Sequence, residues 1–504
     1  MPLRVALGQF DASVGDIDGN IGKMRSFISR AQDINADLLV FPEMCVCGYP
    51  PEDLLHKQHF LEDSTEAVKT LAKQTGEMTV VAGFAELDGS DCYNSLALLG
   101  NGKVQNIYRK NILPNYGVFD EKRYFKPGKK PLLVVFNGFS VVFTICEDIW
   151  DADRLERLIG SDVNPDLILN LSASPFQVGK LQLRREVVAD CTRKFDCTAA
   201  YCNLVGGQDE LVFDGRSMFF DPDGKVVCQA KAFQEDMLVA DVITNQKHVE
   251  TVNVSGAENA GFRDLGPVAE AYQALVLGLR DYVNKNGFRK VLIGLSGGID
   301  SSLTAVVAVE AIGAENLIGI TMPSKFNSEG TKTDAGKLAE NLGIKLETIP
   351  INDILEKFNG SLSVIDGWDE KGTAYENLQA RIRGTLLMSL SNQFNTLVIT
   401  CGNKSETAVG YSTLYGDTAG GFAVIKDVPK TMVYDMSRYV NETAGREVIP
   451  VSVIERPPSA ELKADQQDID SLPDYDKLDA ILRGYVEEDK SAEDLIGEGN
   501  EEQL

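Results

Sequence analysis

The second half of the chain alternates short apolar runs with segments of helical period, and this alternation most constrains its fold. The apolar runs lie at 290–295, 317–322, 345–350 and 396–401, and the helical segments at 267–286, 299–312, 331–342 and 373–394. Continuous apolar strands separated by helices are typical of parallel sheets buried on both faces. The pattern predicts an α/β doubly wound parallel sheet.

The first half mixes strands with fewer helices. Segments of helical period lie at 19–34 and 60–77, and β-rich runs lie at 3–10, 36–43, 78–84, 140–146, 166–171, 198–205 and 216–220. The turn pairs Asn101-Gly102 and Asp223-Gly224 predict hairpins between some of these strands. Hairpins combined with βα units indicate a layered sandwich.

Apolar periodicity is lost twice along the chain. It disappears from about 243 to 266 and again after about 488, where acidic residues dominate. We therefore predict a first domain at 1–245, a linker at 246–266, a second domain at 267–488 and an acidic, mobile tail at 489–504.

Composition excludes several classes of partner. A formal net charge of −26 disfavours nucleic-acid binding, so an anionic ligand must meet a local group of positive charges. The nine cysteines form no C-x-x-C pair, which disfavours disulfides and zinc and fits the reducing cytoplasm. We expect no targeting signal, because MPLRVALGQF turns straight into a strand-like run, and no membrane span, because no apolar stretch approaches 18 residues.

Three reactive residues in the first half follow or end β-rich runs. They are Glu43 in VFPEMCVCGYP, Lys110 in YRKNILPNYGVFDE and Cys146 in FTICEDIW. A thiol attacks an amide when a base takes its proton, and an ammonium can stabilise the resulting oxyanion. A cysteine–histidine pair is disfavoured because His56, His59 and His248 lie outside any recognisable nucleophile motif. The structural alternative is that Cys146 is a small buried core residue, Glu43 a salt-bridge partner at a strand end and Lys110 a solvated lysine.

The order and context of Phe-Pro-Glu, Tyr-Arg-Lys and Cys-Glu-Asp-Ile-Trp resemble the nitrilase, or carbon–nitrogen hydrolase, superfamily. That resemblance implies an αββα sandwich. It also implies that Glu43 is a general base, Lys110 stabilises the tetrahedral intermediate, Cys146 is the nucleophile and Glu121 is a supporting carboxylate. Its glutaminase branch implies glutamine contacts at Tyr116, Ser174 and Lys180, the last of which is arginine in some relatives.

A glycine-rich turn joins a strand to a helix in VLIGLSGGIDSSLTAVVAV. The N-terminus of a helix attracts phosphate, and glycine allows the backbone to approach it closely. The Walker motif is absent from the sequence, and the turn instead resembles the loop of ATP pyrophosphatases, although two glycines alone would also suit helix packing. The predicted ATP contacts are Gly294, Leu295, Ser296, Gly297, Gly298, Ile299, Asp300 and Ser301.

A carboxylate in this loop suits a metal ion better than a phosphate. Asp300 therefore predicts a magnesium site, with Glu406 of TCGNKSETAVGYSTLYGD as its partner at the same sheet edge. An anionic nucleotide requires amide and positive groups, which are present at Asn377, Arg381 and Lys430. The arginines of the predicted helix 373–394 could equally be surface residues.

Over residues 3–485 the chain resembles the bacterial type of glutamine-dependent NAD synthetases, which fuse a glutaminase to an ATP-pyrophosphatase domain. The resemblance implies deamido-NAD contacts at Asn377, Arg381 and Glu406, and ATP contacts at Cys401, Lys430 and Ser459. Cys401 departs from the Thr or Ser often found there, and the chain ends in GEGNEEQL where the family usually continues into a basic segment.

The resemblance also implies a ligase that transfers ammonia from glutamine to deamido-NAD through an acyl-adenylate, with ATP and Mg²⁺, in a cytoplasmic homo-oligomer. One alternative is an amidotransferase that acts on another acid or nucleotide, such as a purine. The other is an inactive nucleotide-binding regulator, which intact Glu43, Lys110, Cys146 and Asp300 disfavour.

Overall fold

The computed structural model describes residues 2–243, 248–251, 264–463 and 466–497. The chain forms two compact units, Met1–Asp264 and Leu265–Leu504. The division falls inside the predicted linker 246–266, where 248–251 form a strand and 252–263 lie outside the described residues.

The predicted tail begins with a helix rather than an irregular segment, because Leu495 is buried and Ser491 accepts a hydrogen bond from the Asp494 amide. Residues 498–504 lie outside the described residues.

The first unit consists mainly of strands. Its strands are β1 (Leu3–Gln9), β2 (Leu38–Val40), β3 (Thr79–Asp88), β4 (Asp91–Gly100), β5 (Lys103–Arg109), β6 (Leu132–Phe136), β7 (Phe139–Ile145), β8 (Leu167–Ser172), β9 (Thr198–Asn203), β10 (Val205–Gln208), β11 (Leu211–Asp214), β12 (Met218–Phe220), β13 (Val226–Gln229), β14 (Asp236–Ile243) and β15 (His248–Thr251). Its helices are α1 (Ile17–Asp33), α2 (Gln58–Ala72), α3 (Glu121–Tyr124), α4 (Ala152–Ile159) and α5 (Lys180–Phe195).

These strands build two packed sheets. One has the order β15-β14-β1-β2-β3-β4-β5 and the other β13-β12-β9-β8-β7-β6, with β10 and β11 as a separate hairpin. Apolar side chains such as Leu7 and Phe143 fill the space between the sheets. Helices α1 and α2 pack on the first sheet and α4 and α5 on the second. The predicted αββα sandwich is confirmed, and both predicted turn pairs join hairpin strands.

The second unit places helices around one sheet. Its strands are β16 (Val291–Gly294), β17 (Leu317–Thr321), β18 (Lys345–Thr348), β19 (Leu397–Thr400) and β20 (Phe422–Ala423). Its helices are α6 (Pro267–Lys285), α7 (Ile299–Ile312), α8 (Glu329–Leu342), α9 (Asn352–Leu362), α10 (Thr373–Phe394), α11 (Lys404–Ala408), α12 (Lys430–Ala444), α13 (Val451–Glu455), α14 (Tyr475–Leu482) and α15 (Ala492–Gly497).

All pairings in this sheet are parallel, in the order β18-β17-β16-β19-β20. Helices α6, α7 and α12 cover one face, and α10 covers the other. The doubly wound prediction is confirmed. The order reverses between β16 and β19, so the segments after these two strands open together at the sheet edge where such folds bind ligands. None of the helices in the described part of the chain is long and apolar enough to cross a membrane.

Candidate active sites

The two sheets of the first unit bring three predicted residues together. Glu43 lies just beyond β2 and Lys110 directly follows β5, whereas Cys146 directly follows β7 of the other sheet. Lys110 Nζ lies 2.7 Å from Glu43 Oε1 and 2.8 Å from Oε1 of Glu121. None of the four residues is more than 3% exposed. The structural alternative of a solvated lysine is therefore wrong.

Further hydrogen bonds fix the two carboxylates. Glu43 Oε1 accepts from Asn94 Nδ2 at 2.7 Å, and Oε2 accepts from the Ala173 amide at 2.8 Å. Glu121 Oε1 also accepts from the Tyr49 hydroxyl at 3.0 Å. Glu43 is thus held in one orientation before any substrate arrives, which suits a general base.

Burial, assisted by the charge of Glu43, keeps the Cys146 thiol protonated at rest. Burial raises the pKa of Cys146, Glu43 raises it further, and Lys110 opposes both. Burial alone would lower the pKa of Lys110, but Glu121 and Glu43 outweigh it and raise the pKa above its ordinary value. Lys110 therefore stays cationic, and the thiol must lose its proton to a neighbouring base as it attacks.

The backbone at Cys146 is also unusual. Its φ of +44° lies in the left-handed region, which non-glycine residues adopt at a cost of roughly 1–3 kcal/mol. A 3₁₀ turn, Cys146–Ile149, starts at this residue, and Asn170 Nδ2 donates to the Cys146 carbonyl at 3.4 Å. Strand β7 therefore ends directly before Cys146, and the thiol lies at the C-terminal end of this strand.

The predicted glutamine contacts lie in the same unit. The Tyr116 hydroxyl donates to Glu147 Oε1 at 2.9 Å, and Tyr116 is 55% exposed. Ser174 Oγ accepts from the buried Arg184 Nε at 3.0 Å. Burial lowers the pKa of Lys180, which opens α5, and Cys146 shifts that pKa in the opposite direction. Tyr116 and Lys180 thus each have an electrostatic link to the residues around the thiol.

In the second unit, the predicted phosphate loop joins β16 to α7. Gly297 has a φ of +84°, and a Cβ there would lie 2.1 Å from the Thr331 carbonyl oxygen, so glycine is required. The Gly298 amide donates to Ser296 Oγ at 3.2 Å, and that oxygen lies 3.1 Å from Ser301 Oγ. These bonds shape the loop before a ligand binds.

The loop opens into a cavity of about 630 Å³. The predicted residues that line it are Gly294, Leu295, Ser296, Gly297, Gly298, Ile299, Asp300, Ser301, Asn377, Cys401, Glu406, Lys430 and Ser459. Arg381 is exposed instead, and its Nε donates to the Leu414 carbonyl at 3.2 Å. Arg383, two residues later in α10, lines the cavity.

Asp300 and Glu406 meet as predicted, but a lysine lies between them. Lys430 Nζ is 2.6 Å from Asp300 Oδ2 and 2.9 Å from Glu406 Oε1. Asn403 Nδ2 donates to Asp300 Oδ1, and Asn403 Oδ1 accepts from the Glu406 amide, each at 2.9 Å. Burial and then the charge of Asp300 raise the pKa of Glu406 to about 7. Among the described residues, no cluster of three or more histidine, cysteine, aspartate or glutamate side chains could hold a metal.

Comparison with known proteins identifies the family. The chain is 45% identical to a "Glutamine-dependent NAD(+) synthetase" of Thermotoga maritima, over 99% of this chain and 91% of that protein. It is 43% identical to a protein of the same name from Acinetobacter baylyi, with the same coverage. The chain belongs to the glutamine-dependent NAD(+) synthetases.

Both halves of the chain match the NAD synthetase pattern separately. The carbon–nitrogen hydrolase family matches residues 4–246, and the NAD synthase family matches residues 271–503. A glutamine-dependent NAD⁺ synthetase from Acinetobacter baumannii, solved with adenosine diphosphate, aligns with a TM-score of 0.86 at 40% identity, covering all of this chain and 91% of that one. A Cytophaga hutchinsonii homologue aligns with a TM-score of 0.83 at 25% identity, covering 99% and 90%. The predicted class, a ligase with a glutaminase half, is confirmed, and neither alternative is favoured.

Several residues at both NAD synthetase centres were not predicted from sequence. Asn94 and Arg184 in the first unit carry no local signal, because Asn94 lies beside Ser95 in β4 and Arg184 is one of several polar residues of α5. Arg456 lines the cavity, forms an ion pair with Asp334 and donates from Nη1 to the Gly297 carbonyl at 3.4 Å. Asn403 stands inside the predicted GNKSE motif, so the motif provided a signal for that residue alone.

Proposed function

We propose that this chain makes NAD from deamido-NAD, using ammonia released from glutamine and energy from ATP. In this proposal residues 1–245 hydrolyse glutamine and residues 267–488 form the amide. One observation carries the proposal: each unit holds a complete set of reactive groups, with a buried Glu–Lys pair near a thiol in one and a phosphate loop facing Asp300, Lys430 and Glu406 in the other.

In the first step, Cys146 Sγ attacks the side-chain amide carbon of glutamine and its proton passes to Glu43. The Lys110 ammonium stabilises the oxyanion that forms, and Glu121 keeps that ammonium charged. Glu43 then delivers the proton to the leaving nitrogen, and the C–N bond breaks to release ammonia. Water deprotonated by Glu43 attacks the thioester, which yields glutamate and the free thiol.

The polar groups around the thiol would select glutamine. Lys180 supplies a positive charge for the substrate α-carboxylate, and Ser174 adds a hydroxyl. Tyr116 is exposed and can close against bound substrate. Together these contacts would hold the amide carbon in line with Cys146 Sγ.

In the second unit, the carboxylate of deamido-NAD attacks the α-phosphorus of ATP and pyrophosphate leaves. Ammonia then attacks the acyl carbon of the adenylate and AMP leaves. Activation is needed because a free carboxylate is a poor acceptor of amines. The Ser296–Ser301 loop, Lys430, Ser459 and the backbone of Cys401 would hold ATP. Asn377 and Glu406, which line the cavity, would hold deamido-NAD.

Magnesium would assist the ATP step as a Lewis acid for the phosphates. The donors fit this hard cation, because Asp300 and Glu406 are partly exposed carboxylates at the mouth of a phosphate loop. Lys430 neutralises one of their two charges, so the phosphates of ATP would supply the remaining negative charge that holds the cation. The ADP bound to the A. baumannii relative supports an adenine nucleotide here.

We further propose a cytoplasmic homo-oligomer, a dimer or higher, that binds neither nucleic acid nor membranes. The net charge of −26 supports the absence of nucleic-acid binding, and nine free cysteines support the reducing cytoplasm, whereas the homo-oligomer rests on the family resemblance alone.

Product analysis by mass spectrometry tests the function. The protein is incubated with ATP, Mg²⁺, deamido-NAD and glutamine labelled with ¹⁵N at the side-chain amide. We expect NAD carrying one ¹⁵N, together with equal amounts of glutamate, AMP and pyrophosphate. Formation of ADP in place of AMP, or the absence of labelled NAD, would contradict the proposal.

A further inference from the structure

The reactive residues of the first unit come from two different sheets. Glu43 and Lys110 follow strands of the seven-stranded sheet, and Cys146 follows a strand of the six-stranded sheet. Packing of apolar side chains between sheets has no fixed direction, so it does not by itself set the distance between thiol and ammonium. A directional contact at this edge of the sandwich is needed to do so.

The Ala173 amide already ties Glu43 to the six-stranded sheet, and the carboxylate of Asp148 ties the segment around Lys110 to the segment that carries Cys146. Asp148 Oδ1 accepts from the amides of Asn111 at 3.0 Å and Ile112 at 2.9 Å, and Oδ2 accepts from the Ile145 amide at 3.1 Å and the Tyr108 hydroxyl at 2.8 Å. Three of these donors flank Lys110, and the fourth directly precedes Cys146. Asp148 is 1% exposed.

We propose that Asp148 is a positioning residue that fixes the Cys146 thiol relative to the Lys110 ammonium by tying the two sheets together. It is not a catalytic residue, because each of its oxygens already accepts two hydrogen bonds from the protein. The inference rests on the proposed roles of Cys146 and Lys110.

The four donors require a carboxylate. Two oxygens with two lone pairs each accept four hydrogen bonds, whereas an amide has one oxygen and an NH₂ group that is itself a donor. In Asp148→Asn, an NH₂ group replaces one of the two carboxylate oxygens. That NH₂ group faces either the amides of Asn111 and Ile112 or the Ile145 amide and the Tyr108 hydroxyl. One side of the tie between Lys110 and Cys146 then breaks while the volume of the side chain is preserved.

Asp148→Asn in the full-length protein tests this role. We expect kcat for glutamine hydrolysis to fall about 100-fold, as a misplacement near 1 Å does, with KM for glutamine unchanged because Asp148 contacts no substrate group. Ammonium-driven NAD synthesis should stay at the wild-type rate. Asp166→Asn is the matched control, since Asp166 Oδ2 binds the Ser140 amide and hydroxyl at the opposite end of β7, and its kcat should equal that of wild type.

Tyr108→Phe removes one of the four bonds and leaves the carboxylate in place. We expect a smaller fall in kcat, and no additional fall when it is combined with Asp148→Asn, because both changes break the same tie. This variant decides the question if Asp148→Asn unfolds the first unit.

The inference is overturned if Asp148→Asn has the kcat of wild type. If Asp148→Asn unfolds, a wild-type kcat in Tyr108→Phe overturns it instead. A change in KM alone, or an equal fall in kcat in Asp166→Asn, also overturns it. Failure of the proposed function is a different result: Cys146→Ala would then still hydrolyse glutamine.

Discussion

The Lys110 ammonium lies 2.7 Å from the Glu43 carboxylate, and neither side chain is more than 1% exposed. The same ammonium binds Glu121 at 2.8 Å, so a single buried cation balances two carboxylates. The charges of these three side chains therefore depend on one another. Removing any one of them should change both the stability of the first unit and its glutaminase activity.

Cys146→Ala should abolish NAD synthesis from glutamine and leave synthesis from ammonium salts at the wild-type rate, because only the first centre uses the thiol. Both rates are measured by NAD formation with saturating ATP. Cys228→Ala is the control, since this buried thiol lies on β13 and has no predicted role. Loss of both activities in Cys146→Ala would contradict the separation of the two centres.

Lys110→Met should destabilise the first unit by about 3–5 kcal/mol, because it leaves two buried carboxylates without a counter-charge. The double variant Glu43→Gln/Lys110→Met should recover part of that stability and none of the glutaminase activity. Urea denaturation measures the free energy of unfolding. Lys69→Met, which breaks an exposed pair with Glu66, should cost less than about 1 kcal/mol.

Glu121 should make stability depend on pH. Burial raises its pKa to about 7, whereas in the unfolded chain it is near 4.5. Between these values the folded state holds an additional proton, so this contribution is fully present below pH 4.5 and is lost as the pH rises through 7. The melting temperature of wild type relative to Glu121→Gln should therefore fall from pH 5 to pH 8. A constant difference between the two proteins would show that the Glu121 pKa is not raised.

Sequence predicted the first centre well, because Glu43, Lys110 and Cys146 each stand at a strand end within a family motif. It gave no role to Asp148, which stands in the same motif, because its partners lie up to 40 residues earlier on another sheet. No local pattern encodes such a contact. Arg184 was also missed, because nothing in the local sequence indicates its contact with Ser174.

Gly297→Ala should prevent NAD synthesis from both nitrogen sources. The added Cβ would lie 2.1 Å from the Thr331 oxygen, at a backbone conformation that alanine rarely adopts. The loop must move, and we expect an about 100-fold loss of kcat/KM for ATP with glutamine hydrolysis retained. Gly336→Ala in α8 meets no neighbouring atom and should be active, with a gain in stability of about 1 kcal/mol.

Removal of magnesium should stop NAD synthesis but not glutamine hydrolysis, since in the proposed mechanism only the ATP step uses the metal. Asp300→Asn should raise the Mg²⁺ concentration needed for half-maximal synthesis, because one hard ligand becomes neutral. A titration with MgCl₂ after treatment with EDTA measures this shift. Asp435→Asn, an exposed residue paired with Arg438, should titrate as wild type does. An unchanged midpoint in Asp300→Asn would exclude Asp300 as a ligand.

The second centre shows where sequence reasoning stops. Helix α10 was predicted at 373–394, as observed, but the face of the helix that lines the cavity was not predicted. Arg381 and Arg383 are separated by a rotation of roughly 200° around the helix axis, so they lie on nearly opposite faces. Lys430 was predicted to contact ATP. Its ion pairs with Asp300 and Glu406 were not, because Pro429 and Gly445 mark the ends of α12 but no local pattern shows how this helix packs against the two loops.

The strand order of the second unit has a consequence for folding. β16 and β19 are neighbours, yet the hydrogen bond between Asp300 and Asn403 that follows them closes a loop of 103 residues. Contacts of such long range form late, after the entropy of closure has been overcome. We therefore expect the nucleotide pocket to form only when the sheet is complete. Nucleotide binding would accordingly stabilise only the finished sheet, which makes it a direct measure of complete folding.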